Sequence, residues 1–78
     1  MNNRVMAFID ENGDRIEYEI VDELIVNKNG YMLMAPKNNK SDINVFKLIT
    51  TKQGDQLELV EDKTTSDLIK SKSKLVLL

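Results

Sequence analysis

The sequence predicts an α+β domain: a five-stranded antiparallel β-meander with a C-terminal helix packed on one face. An all-β small barrel is the alternative. Three observations support the prediction. Two Asn-Gly pairs, Asn12-Gly13 and Asn29-Gly30, each stand between apolar runs, which is the strongest short-range signal for a hairpin. Ile16, Tyr18 and Ile20 alternate with Arg15, Glu17 and Glu19, the period of a half-buried antiparallel strand. Finally, Thr64-Thr65-Ser66-Asp67 has the form of a capping box, and lysines follow it where positive charge complements a helix dipole.

The first strand is the short apolar run Val5 to Ile9, and the turn Asp10 to Asp14 follows it. The Asn12-Gly13 pair supplies the positive φ angles that a tight reversal needs. Residues 22–27 lead into Asn29-Gly30, and Tyr31 to Ala35 leads out. With Asn29 and Gly30 as the two turn residues, Lys28 faces Tyr31, Val26 faces Leu33, Ile25 faces Met34 and Leu24 faces Ala35. Leu24, Val26, Leu33 and Ala35 then form the core face. Pro36 cannot donate to a ladder and ends the run.

Lys37 to Asp42 is polar and without period, a loop. Ile43 to Ile49 reads as the next strand. Its Phe46 and Leu48 are out of step with Ile43 and Val45, a sign of burial on both sides or of a bulge. Thr50 to Gln56 turns the chain, and Leu57 and Leu59 mark a short fifth strand. The helix runs from about 65 to 75, with Thr64 as its cap, Asp67 in its first turn, and Leu68, Ile69, Leu75 and Val76 on one stripe. A terminal strand over Leu75 to Leu78 is the rival reading.

Composition narrows function. A chain of 78 residues is one domain, and at this size only ~60% of the unfolded surface is buried on folding. It has no cysteine and no histidine, so the two commonest zinc ligands and the usual neutral-pH base are missing. No cofactor is expected. No apolar run approaches the ~20 residues that span a bilayer, and the N-terminus lacks a signal-peptide pattern, so the expected location is cytoplasmic, away from membranes. Net charge is −2, but residues 1–35 carry −4 and residues 36–78 carry +2, an asymmetry that a solvated surface accommodates.

Strand-Asp-Glu-x-Gly, seen as Phe8-Ile9-Asp10-Glu11-Asn12-Gly13, is followed by Ile16-Glu17-Tyr18-Glu19-Ile20, Asp22, Tyr31 and the exit Leu33-Met34-Ala35-Pro36. With Val45-Phe46-Lys47-Leu48, Gly54 and Glu61-Asp62 before a terminal helix, this resembles the small bacterial family called domain of unknown function 1292. The resemblance runs from about residue 5 to 70. It implies a small, usually acidic bacterial protein with no established activity and no catalytic residues to carry over. This chain departs from the pattern in its basic loop, with Lys37 and Lys40, and in its tail, with Lys63, Lys70, Lys72 and Lys74.

Candidate chemistry is sparse. Asp10, Asn12 and Asp14 match the first, third and fifth positions of a calcium loop, but Arg15 and Val21 stand at the sixth and twelfth, where glycine and glutamate belong. A hairpin turn explains them better. Glu17 and Glu19 face water, where nothing raises a carboxyl pKa toward neutrality. Ser71/Lys72 and Ser73/Lys74 are adjacent on a helix and point apart. Lys70, Lys72 and Lys74 could touch phosphate, yet a net negative domain with few aromatics is a poor nucleic-acid binder.

Met6, Met32 and Met34 could contribute an adaptable apolar contact surface. Ile25 and Met34 fall on the face opposite the assigned core. Either the helix covers them through Leu68 and Ile69, or they form an exposed apolar patch for a partner. Ile25, Met34, Leu68 and Ile69 are therefore the candidate protein-contact residues. The expected role is a non-enzymatic protein-binding or adaptor module, with a weak homodimer as an option, nucleic-acid contact as the main alternative and a small enzyme third.

Overall fold

The computed structural model describes residues 4–10 and 12–73. Five strands form one antiparallel sheet in chain order: β1 Val5–Ile9, β2 Arg15–Val26, β3 Asn29–Pro36, β4 Asn44–Thr51 and β5 Gly54–Leu59. One helix, α1 Lys63–Lys72, follows. This is the α+β meander that the alternation and turns predict, with one addition: the sheet curls toward a half-barrel. Strands lie ~4.8 Å apart, so β1 and β4 of a flat sheet would stand ~14 Å apart. Instead the rings of Phe8 (β1) and Phe46 (β4) stack with centroids 5.8 Å apart.

The first hairpin closes as expected around Gly13, whose φ is +82°. Its N–H donates to the Asp10 carbonyl at 3.0 Å. The Asp10 carboxylate secures the same turn, with one oxygen accepting from the N–H groups of Asn12 and Asp14, both at 2.9 Å.

The second hairpin corrects the predicted register. Val26 pairs with Asn29, Ile25 with Gly30 and Leu24 with Tyr31, so the turn residues are Asn27 and Lys28, with φ of +52° and +69°. Asn29 and Gly30 already belong to β3. A non-glycine residue in the left-handed region costs ~1–2 kcal/mol, and ladder length offsets it. In this register β3 also pairs Ile20 with Met34, Glu19 with Ala35 and Tyr18 with Pro36. A turn at Asn29-Gly30 would leave those β2 residues without a β3 partner. The two registers differ by an even step, so side chains keep their faces. A bulge between Ile20 and Asp22 lets β2 run unbroken through both hairpins.

Strand β4 has no bulge; Phe46 and Leu48 simply face the other way from Val45, and both faces are apolar. On the convex face Leu33, Val45 and Ile69 of α1 form a buried cluster, with Val21, Leu24, Val26 and Tyr31 packed around it. The helix therefore covers the assigned core face. It does not cover the face of Ile25 and Met34. There the curl of the sheet brings Phe8, Tyr18 and Phe46 into mutual contact, Tyr18 edge-on to Phe8 at 5.5 Å and to Phe46 at 5.7 Å.

Asp62, not Thr64, caps the helix. Its carboxylate accepts from the Thr65 N–H at 3.1 Å and the Thr65 hydroxyl at 2.5 Å, the preferred N-cap arrangement. Asp67 consequently lies beyond the first turn. The helix ends at Ser73, which is extended, and its N–H donates to the Lys70 carbonyl at 3.1 Å. Ser73 also donates its hydroxyl proton to the Asp22 carboxylate at 2.5 Å, pinning the helix terminus to β2. Thr65, Ile69 and Ser73 share the inward face at a four-residue spacing, and Leu68 points outward. Lys74, Leu75, Val76 and the alternative terminal strand lie outside the described residues.

Candidate functional site

The concave face has a closed end and an open end. At the closed end the aromatic trio fills the curl, and Met34, fully buried, lies on the same face. At the open end β2, β3 and β4 run on beyond β1, and nothing among the described residues lies over them. Ile25 is 78% exposed and Leu48 is 40% exposed. Between them Gly30 carries no side chain, and a methyl placed there would sit 3.5 Å from Leu48 Cβ, an ordinary contact. A shallow, open depression of about 1000 Å³ lies here, lined by Ile25, Gly30, Met32 and Leu48 and also by the charged Lys28 and Lys47. Glu23 and Thr50 stand at its rim, and Glu23 is ion-paired with Arg4 at 3.1 Å.

The four predicted contact residues do not form one surface. Ile25 lies on the groove wall and Leu68 on the outer side of the helix, both exposed; Met34 and Ile69 are buried within the two core layers. The sequence reading did not single out Gly30 or Leu48 as site residues. Leu48 carried a signal, being out of step with Val45, but Gly30 was absorbed into the expected turn.

The charge asymmetry of the sequence is partly self-satisfying. The basic loop after Pro36 folds back on the acidic strand: Lys37 reaches Glu17 at 3.5 Å and Lys40 reaches Glu19 at 3.6 Å. Arg15 bonds Glu17 at 3.1 Å. The Arg15 hydrogen bond, aided by the charge of Lys37, holds the Glu17 carboxyl below its ordinary range. Hydrogen bonds from Thr65 do the same for Asp62. Such exposed pairs contribute little stability, but they occupy the cations of this loop.

Against known proteins, the chain is similar to UPF0473 proteins of Clostridium perfringens, from strains SM101 and 13. Each is 30% identical over 80 residues, an alignment covering 95% of this chain and 94% of the relative. The chain belongs to the UPF0473 family. It is thus one of a family of small bacterial proteins. Neither UPF0473 relative's name states an activity, a ligand or a partner. No protein-family model matches the chain, and no solved structure matches it. None of the helices among the described residues of this UPF0473 protein is long and apolar enough to cross a membrane.

Proposed function

We propose that this UPF0473 protein is a small non-enzymatic adaptor of the bacterial cytoplasm that holds a protein partner in its concave groove. The observation that carries the reading is Ile25: a large aliphatic side chain, 78% exposed, beside the open trough over Gly30. An isolated exposed residue needs no explanation, but an apolar wall facing a second one, Leu48, across an unfilled trough is the form of a side-chain receptor. Met32 on the floor adds an adaptable surface.

The test is retention of partners from a nuclease-treated lysate by the immobilised protein and by Ile25→Glu. The adaptor reading expects specific proteins on the first and their loss on the second; retention unchanged by Ile25→Glu would remove the groove from the account. Leu68→Glu in parallel asks whether the helix adds to the contact. The second reading, nucleic-acid contact, rests on Lys70 and Lys72 in the last helical turn. A salt-sensitive shift of labelled single-stranded RNA, lost when Lys70, Lys72 and Lys74 become glutamate, would favour it over the adaptor.

A further inference from the structure

The curled sheet has two ends, β1 and β5, and among the described residues neither has a partner on its outer side. Natural edge strands are usually guarded by charge, proline or a bulge against pairing with another chain. β5, Gly54–Leu59, carries Asp55 and Glu58. β1 is Val-Met-Ala-Phe-Ile, with no charge, proline or glycine. Its convex side is open: Val5 is 42% exposed, Ile9 is 68% exposed, and Ala7 is exposed between them.

The hydrogen-bond phase of β1 can be read from its ends. The Arg4 carbonyl accepts from the Ile20 N–H at 2.8 Å, the Asp10 N–H donates to the Asp14 carbonyl at 2.9 Å, and the Asp10 carbonyl accepts from Gly13. Even-numbered residues therefore direct their main-chain groups toward β2. In an antiparallel ladder the groups alternate, so the N–H and carbonyl groups of Val5, Ala7 and Ile9 point outward, unpaired by β2.

We infer that this edge pairs with the same edge of a second copy, β1 against β1 antiparallel about a two-fold axis at Ala7, joining both sheets into one. The strand is self-complementary in this register. Ala7 bonds reciprocally with Ala7 of the second copy, and Val5 bonds reciprocally with Ile9, so every outward N–H and carbonyl of β1 is satisfied. Met6 stands opposite Phe8 on the concave side. Arg4, which pairs with Glu23 of its own chain at 3.1 Å, stands opposite Asp10 of the second copy, whose Oδ1 holds its own turn. Each end of the ladder thus adds an unlike charge to a group already partnered within its chain. Sliding the register by two residues either way loses this match, setting Arg4 against Phe8 or Asp10 against Met6. The contact is isologous, as in most homodimers, and one five-residue strand gives it a small area, which places it among weak, reversible associations.

Two substitutions test the pairing without touching the groove. Ala7→Lys places a lysine beside Glu17, its neighbour on β2, which suits the monomer; in the dimer it sets two lysines face to face across the axis. Ala7→Pro deletes an outward N–H, a position at which edge strands accept proline. Sedimentation equilibrium should show a concentration-dependent dimer for the parent chain, at least ~tenfold weakened in Ala7→Lys and absent in Ala7→Pro, with Ile25→Glu dimerising like the parent. Amide exchange at Val5, Ala7 and Ile9 should slow as concentration rises. A monomer at every concentration overturns the inference, as does a dimer indifferent to both Ala7 variants. Protection of these amides that does not depend on concentration assigns the edge to another segment of the same chain and overturns it too.

Discussion

The convex face of the sheet is covered by a separate element that contributes one fully buried apolar side chain, Ile69, over Leu33 and Val45. The concave face is covered by the sheet itself, which curls until Phe8 of β1 meets Phe46 of β4. The first solution needs correct docking of a helix with small polar neighbours, Thr65 and Ser73, on its inner side. The second needs only strand twist and bulky rings, and it stops where β1 stops. A helix can cover a face as a lid; a curl covers only as far as its outer strand reaches. That difference leaves the concave face half open, with Ile25 and Leu48 at its uncovered end.

The largest expected effect compares the two covers directly. Phe46→Ala empties the position shared by both other rings and should lower unfolding stability by about 4 kcal/mol, against about 3 kcal/mol for Ile69→Ala. Both are readable by urea titration. If the layers are independent, Ile69→Ala in a Tyr31→Phe background lowers helical circular dichroism while the near-ultraviolet signal of Tyr18 survives. Loss of both signals together would show a single cooperative core. Next in size is Ser73→Ala, which removes the hydroxyl bond to Asp22 and should cost about 1 kcal/mol; a null result would mean that this hydroxyl bond adds nothing to the apolar packing around Ile69.

Acid should act on the helix through Asp62 and on the strand that carries Tyr18 through Glu17. The carboxyls of Asp62 and Glu17 are held below their ordinary range in the folded chain, Asp62 by Thr65 and Glu17 by Arg15 and Lys37. A depressed folded-state pKa contributes stability that is fully present above the unfolded-state pKa and is lost as pH falls through the folded-state value. Helical signal should therefore fade in the lower carboxylate range, and Asp62→Asn should flatten that fade. The smallest effect is expected at the open end. Gly30→Ala fills part of the groove without a clash and should change stability by no more than ~0.5 kcal/mol in either direction. Partner retention should fall in this variant if the trough over Gly30 is used.

Much of the architecture could be read from residues with one dominant preference. The alternation from Arg15 to Ile20 set the faces of β2, and Gly13 set the first turn. The second hairpin was misread because local turn chemistry favoured Asn29-Gly30, whereas pairing along the full length of β2 favoured Asn27 and Lys28. That total is a property of the sheet and not of any short window. The helix cap departs from its local signal in a similar way: Thr64 and Asp62 both offer a capping oxygen, and it is the Asp62 carboxylate that meets the Thr65 N–H. Which face the helix would cover could not be read from Leu68 and Ile69, since neighbours on a helix point ~100° apart and either could lead. The groove was less legible still. Ile25 announced it, but its opening depends on Gly30 lying in a strand, and that follows from the corrected register.

The bond between Ser73 and Asp22 joins residues 51 positions apart, so the contact that fastens the convex layer also closes one of the longest loops in the fold. Loop-closure entropy grows only slowly with length, and contacts of such separation slow folding more than they weaken the folded state. A chain cut after β5 would keep Phe8, Tyr18 and Phe46 but leave Leu33 and Val45 without Ile69, a bare aliphatic surface of the kind chaperones bind.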